Sequence, residues 1–339
     1  MKKTMLKTLT AAALGLALGV SAVSASAADI STRLIRFGYG LNQDSKQGRA
    51  ADYFVQRMSE LSGGKFKVKA FGGASLGSDI QMQNALIGGA QEMMVGSTST
   101  LVGIDKRMGV WDLPFLFDSA EQADKVLDGP YGQKLLDNLQ DQGLVGLVYW
   151  ENGFRNMTNS KRPIEKMSDM DGVKLRVMQN PMYLDLFKSM GANAVPMSFS
   201  ELFTALETKA VDGQENPVTT IESSKFYEVQ KYLSLTQHVY SPWIVLMSKS
   251  FWDKLNDDEK AIVMQAARDS RDFERKDSRE QSVKAMAFLK EHGMEINEVA
   301  PEELAKMREK AAAVIQTQAS VLGQDTLDGL NAAIAAAKQ

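Results

Sequence analysis

The sequence predicts an α/β protein built from two lobes. Three observations carry that expectation. The chain of 339 residues is too long to close around one hydrophobic core comfortably. Strand-like and helix-like segments alternate at a short pace in both halves. A polar, glycine-containing break at Glu151-Asn152-Gly153-Phe154-Arg155 separates the two alternating runs and reads as the crossover between lobes.

The elements follow in order. Lys2, Lys3 and Lys7 precede an apolar stretch from Leu9 to Val23, and Ala25-Ser26-Ala27 offers small residues for cleavage, so residues 1–27 read as an export signal rather than as part of the fold. The apolar stretch is shorter than the roughly 20 residues a bilayer crossing needs. Its removal takes away three lysines and no acid, shifting the formal net charge from −3 to −6. Arg33 to Tyr39 alternates as a first strand. Ala50, Tyr53, Phe54, Met58 and Leu61 fall at helical spacing, and Ser62-Gly63-Gly64 stops that helix. Lys65 to Phe71 has strict period two, as a half-buried strand requires. Ser78 or Asp79 caps a helix from Ile80 to Leu86, and Glu92 to Gly96 makes a short buried strand. Helices are expected over Ser119–Asp128 and Tyr131–Gln142, then a fully apolar strand over Leu144–Trp150.

Beyond the break, strands are expected at Val173–Met178, Ala194–Pro196 and Val211–Gln214, with helices at Pro181–Met190 and Phe199–Thr208 between them. Val239 to Ser248 reads as a long strand returning to the first lobe. Asp257 to about Leu289 is one charged amphipathic helix, on the order of 50 Å long at 1.5 Å per residue and able to span more than one lobe. Helices from Pro301 to about Ser320 and from Thr326 to Ala337 end the chain. The expected division is residues 28–152 and 241–281 in lobe 1, and 153–240 and 282–339 in lobe 2.

Composition removes several function classes. With 44% hydrophobic and 24% charged residues the chain is ordinary globular protein, not a disordered one. An acidic pI near 5.7 and no extended basic cluster argue against nucleic acid as a partner. With no cysteine, thiolate metal sites, disulfides and cysteine nucleophiles are excluded, and two histidines, His238 and His292, are too few for a three-histidine metal site. No G-x-S-x-G elbow, P-loop or H-E-x-x-H helix occurs. No metal and no cofactor are expected.

Four places remain where chemistry is concentrated. In the strand Val173-Lys174-Leu175-Arg176-Val177 the valines and Leu175 share one face, so Lys174 and Arg176 share the other. A guanidinium there can give a carboxylate two parallel hydrogen bonds, which a lysine cannot copy; the same pattern also fits a solvated strand face. Arg155 lies at the crossover, where two-lobed proteins tend to bind ligands, yet a lone loop arginine is as readily a surface charge. Asp212-Gly213-Gln214-Glu215-Asn216-Pro217 is dense in polar groups, with Pro217 placed to start a helix, and is equally plain turn chemistry. Trp150-Glu151-Asn152-Gly153-Phe154 and Tyr240-Ser241-Pro242-Trp243 interleave aromatic and polar groups, fit for a sugar-sized cleft or for packing a hinge.

Taken together, Gly153-Phe154-Arg155 with Thr158-Asn159-Ser160, Asp171-Gly172-Val173-Lys174-Leu175-Arg176-Val177, Gly191 to Met197, Glu201 to Thr208 and Val211 to Pro217 resemble the solute-binding proteins of tripartite ATP-independent periplasmic (TRAP) transporters. The resemblance runs over essentially the whole chain after residue 27. It implies a two-lobed periplasmic binding protein fold with hinge strands and a long interlobe helix. It also implies a receptor that is not an enzyme, a monomer in the periplasm that hands its ligand to membrane permease subunits. By motif it makes Arg176 the clamp on a ligand carboxylate, with Arg155 and Asn216 assisting. Leu76-Gly77-Ser78 matches a family turn; just after it relatives often have a glutamate where this chain offers Asp79 or Gln81, and Asp79 is taken as the expected lobe 1 contact. Ser97, Trp150, Glu151 and Asn152 complete the expected ligand-binding set. Tyr149 to Gly153 and Lys231 to Thr236 look most like members that bind six-carbon sugar acids such as hexuronates or diketogulonate. A C4-dicarboxylate receptor is the alternative, and an exported sugar-acid enzyme a more distant one.

Overall fold

The computed structural model describes residues 29–338, so the expected export signal lies outside the described residues. The chain opens with β1 (Arg33–Tyr39), α1 (Lys46–Leu61), β2 (Phe66–Phe71), α2 (Asp79–Ile87) and β3 (Met93–Ser97). Local chemistry sets the helix starts: the Ser45 side chain accepts from the Gly48 N–H, and Ser78 and Gln81 form a reciprocal capping box at α2. Then come α3 (Ala120–Leu127), α4 (Pro130–Asn138) and β4 (Leu144–Phe154). The second lobe follows as β5 (Asn156–Asn159), β6 (Lys174–Val177), α5 (Pro181–Ser189), β7 (Asn193–Pro196), α6 (Leu202–Glu207), β8 (Gly213–Asn216), α7 (Val218–Ser223) and β9 (Tyr232–Leu235). β10 (Tyr240–Ser248) returns to the first lobe, and α8 (Lys249–Trp252) leads into α9 (Asp257–Glu291). β11 (Glu295–Glu298), α10 (Pro301–Leu322) and α11 (Gln324–Ala337) close the chain.

Two sheets result, in the orders β2-β1-β3-β10-β4 and β11-β9-β5-β8-β6-β7. β1 pairs parallel with β2 and β3, as α/β crossovers require, whereas β10 runs antiparallel between β3 and β4. β4 passes the point where the sequence predicts a break. It stays in register with β10 as far as Phe154 opposite Tyr240, with a bulge between Ser241 and Pro242. Gly153 holds φ +108° there, a backbone state that side chains rarely adopt, so the bend from one sheet to the next falls on the residue that tolerates it. β4 and β10 therefore form the two-stranded connection between lobes.

Each lobe has apolar clusters on both faces of its sheet. On one face of the first sheet Ile35, Phe37 and Trp150 meet Phe54 and Met58 of α1 and Val263 and Ala267 of α9. Farther along α9, Ala285 and Leu289 enter a second-lobe cluster with Leu206, Ile221 and Phe226. One helix thus braces both lobes. The C-terminal helices depart from the expected assignment to lobe 2. In α10, Met307 and Ala311 pack in the second lobe, but Val314 and Leu322, with Leu330 of α11, join the first-lobe cluster around Trp111. The apolar stripe Leu327, Leu330, Ile334 of α11 has that face to bury, and α11 lies against α3 and α4.

The lobes also meet directly. Asn180, the N-cap of α5, donates from Nδ2 to Asp112 Oδ2 at 2.7 Å and to the Ser99 carbonyl at 3.2 Å, both in lobe 1. Ser99 Oγ also donates to Asp112, whose carboxyl burial pushes up to about 7. Asn180→Ala removes a helix cap and two cross-lobe bonds together. A loss of about 1–3 kcal/mol is expected in urea unfolding, and wild-type stability would show that this contact holds nothing.

Candidate ligand cleft between the lobes

Where the sheets face each other the structure leaves a cleft lined by residues of both lobes, the place where two-lobed proteins tend to bind small molecules. Its lobe 1 wall includes Gly40, Gln47, Ser78, Asp79, Ser97 and Trp243, and its lobe 2 wall Arg155, Arg176, Met178, Met197, Ser198 and Asn216, with Asn152 and Thr220 also lining it. Of the eight residues predicted from the sequence, six line this cleft: Arg176, Arg155, Asn216, Asn152, Asp79 and Ser97. Two do not. Trp150 points into the core of lobe 1, edge-on to Phe37 at 6.2 Å. Glu151 turns to α9, where Oε2 accepts from Arg279 Nε at 3.0 Å and Oε1 from Ser278 at 3.2 Å.

Arg176 sits at the centre of the lobe 2 wall. β6 carries it with Leu175 and Val177 in the core beneath, and the side chain itself is 2% exposed. Its Nε and Nη2 donate to the Met197 carbonyl at 2.9 and 2.7 Å, while Nη1 is buried without a partner. Burial pushes the guanidinium down to about 10, with Glu215 and Asp79 drawing it back up. A fixed, still charged donor with an unused N–H edge is the arrangement that recognises a carboxylate.

Arg155 differs. It lies equally deep, but Nε and Nη2 are taken by the Glu215 carboxylate, and Nη2 also donates to the Glu215 carbonyl at 2.6 Å and to Asn216 Oδ1 at 3.2 Å. Burial alone would lower its pKa, and Glu215 holds it above the usual value. His238 Nε2 completes the set at 3.0 Å from Glu215 Oε2. The role of Glu215 was missed in the sequence, although it stands inside the Asp212–Pro217 cluster. Asn216 uses Nδ2 on Gln214 Oε1 at 2.6 Å, so its amide is oriented by the same network.

Across the cleft, Asp79 is the first residue of α2. Its Oδ2 accepts from the Ser97 N–H at 2.9 Å. Burial raises its pKa, and the Ser97 bond and Arg176 oppose that rise. Lys46 supplies a buried cation behind Trp243, 5.1 Å from the ring centroid, but Nζ is spent on the Asn152 carbonyl at 2.6 Å and Ser278 Oγ at 2.8 Å. Among the described residues no cluster of three or more His, Cys, Asp or Glu is placed to hold a metal. None of the described helices is long and apolar enough to cross a membrane.

The family model for bacterial extracellular solute-binding proteins, family 7 (DctP), matches residues 37–321. The chain belongs to that family, the solute receptors of TRAP transporters. The sugar acid binding protein of Advenella mimigardefordensis, solved with galactonate, is 52% identical over 91% of this chain and 100% of that one, with a TM-score of 0.90. The 2,3-diketo-L-gulonate-binding periplasmic protein of Escherichia coli is 37% identical over 82% of this chain and 84% of its own. A C4-dicarboxylate-binding protein of Bacillus subtilis is 35% identical over 71% of this chain and 69% of its own. This DctP-family receptor thus has relatives of both ligand types.

Proposed function

We propose that this receptor binds a six-carbon sugar acid in the cleft, with Arg176 on its carboxylate, and presents it unchanged to membrane permease subunits from the periplasm as a monomer. The free Nη1 of Arg176 is the observation that carries the reading. Transfer of an anion from water is unfavourable unless its charge is met by charge-assisted hydrogen bonds, each contributing about 1.5–3 kcal/mol. The rest of the cleft suits the polyol. Ser97, Thr100, Ser198, Ser200, Asn152 and Gln179 bring polar groups, and Trp243 and Phe199 bring flat apolar faces for C–H surfaces. Because both lobes contribute, ligand favours the closed arrangement over an open one. Galactonate, bound by the Advenella protein, and 2,3-diketo-L-gulonate, named for the Escherichia coli relative, set the first choices.

The test is a thermal-shift and calorimetric panel of galactonate, gulonate, 2,3-diketogulonate, galacturonate and succinate. At 100 times Kd the correct acid is expected to stabilise the protein by about 2.7 kcal/mol. It should be recovered unchanged after incubation. Succinate alone binding would move the assignment to the C4-dicarboxylate class. Turnover of the ligand would replace the receptor reading with an enzyme.

A further inference from the structure

The charges of the cleft do more than attract an acid. Only three charged side chains line it among the described residues: Arg155, Arg176 and Asp79. Arg155 is already matched by Glu215. Lys46, behind Trp243, is buried among Glu274 and Glu151 and bonded away from the cavity. What faces a ligand is therefore one unpaired cation on lobe 2 and one carboxylate on lobe 1, with no ion pair between Asp79 and any cation among the described residues.

We propose that Asp79 makes this receptor selective for monoanions, rejecting a ligand that turns a second carboxylate toward Asp79 on the lobe 1 wall. The inference rests on the sugar-acid reading above and adds its charge rule. Asp79 is held in place by α2 and by the Ser97 N–H, so it cannot swing away from an incoming negative group without breaking that bond. Its second oxygen accepts nothing among the described residues, and an ionised carboxylate is acceptor-only. A ligand hydroxyl can donate to it; a ligand carboxylate has no proton to give and adds a like charge where little water remains to screen it. The discriminating ligand pair is an aldonate and the matching aldarate, which differ only in –CH2OH against –COO⁻ at the far end. Rejection of the wrong partner by a placed like charge is a recognised route to specificity.

Calorimetry at pH 7.5 with galactonate and galactarate tests this on the full mature chain, wild type and Asp79→Asn. Wild-type protein is expected to prefer galactonate by about 100-fold or more, the size that an unscreened like-charge contact produces. The amide of the Asp79→Asn variant retains an acceptor for Ser97 and for a hydroxyl but carries no charge. Galactonate binding should therefore fall about tenfold and galactarate binding rise, bringing the two within about tenfold. Retained galactonate binding also certifies that the variant is folded. Equal wild-type affinity for both acids, or an unchanged preference in Asp79→Asn, would overturn the charge rule while leaving the sugar-acid reading intact. Binding of neither acid, nor of any other sugar acid of the panel above, by wild-type protein would remove that reading and this one with it.

Discussion

Arg176→Ala is expected to weaken sugar-acid binding by roughly 30-fold to several thousand-fold, the range that follows from losing a buried charge contact of about 2–5 kcal/mol at 1.4 kcal/mol per decade. The size of the effect comes from how the guanidinium is held. Two of its nitrogens are fixed on the Met197 carbonyl, so the third is presented without rotameric search, and no carboxylate of the protein competes for it. Arg176→Lys is expected to recover little. An ammonium on a flexible stem can bond Met197 or reach the ligand, but it cannot keep one planar set of N–H groups on both. Calorimetric titration with the acid identified by the panel reads both variants. Near-native affinity in either would sink the clamp, because no other unpaired cation lines the cleft among the described residues.

Much of this arrangement was legible in the sequence, and the limits have physical causes. The 35 residues of α9 announce themselves as one long charged amphipathic run, and the structure adds an Asn256–Glu259 capping box at its start. β2 shows its period-two alternation and β4 its apolar run. The far end of β4 was not legible, because Glu151-Asn152-Gly153 has the composition of a loop. Those residues stay in a buried strand because distant groups receive their backbone: β10 pairs with them as far as Phe154, Glu274 Oε2 accepts the Glu151 N–H at 2.6 Å, and Lys46 donates to the Asn152 carbonyl. The same limit governs the site. Motif and spacing bring Arg176 and Asp79 forward, yet that Arg155 is neutralised depends on Glu215, 60 residues away in sequence and adjacent only through the pairing of β5 with β8. Of the run Trp150-Glu151-Asn152, only Asn152 lines the cleft, because Trp150 is taken up by the lobe 1 core and Glu151 by Ser278 and Arg279 of α9, partners remote in sequence. The helices α10 and α11 offered apolar stripes but no sign of which lobe would cover them.

Glu215→Ala is expected to destabilise the protein by about 3–5 kcal/mol, the ordinary cost of breaking a buried pair from one side. The two side chains are 1% and 0% exposed, so water cannot replace what is removed. The cost is specific to leaving Arg155 charged and unmatched: a double substitution, Arg155→Met with Glu215→Leu, removes both charges and is expected to lose clearly less than Glu215→Ala alone. The pH dependence follows from the same group. Burial would raise the Glu215 carboxyl, but Arg155 and His238 hold it below its ordinary 4.5, so its contribution is present above that pH and lost as pH falls through the lower folded value. His238 works in the same direction. Burial keeps it neutral and lowers its pKa below 6.5, so the unfolded chain takes up that proton first and stability declines with acid from there downward. Urea unfolding of wild type from pH 7.5 down to 3 should therefore show a first loss below 6.5 from His238 and a further loss below 4.5 from Glu215, and only the second should shrink in Arg155→Met with Glu215→Leu. A Glu215→Ala variant as stable as wild type would mean that Arg155 finds water or another acid when its partner goes. Arg155 would then no longer be the silent cation that leaves Arg176 to hold the ligand's charge alone.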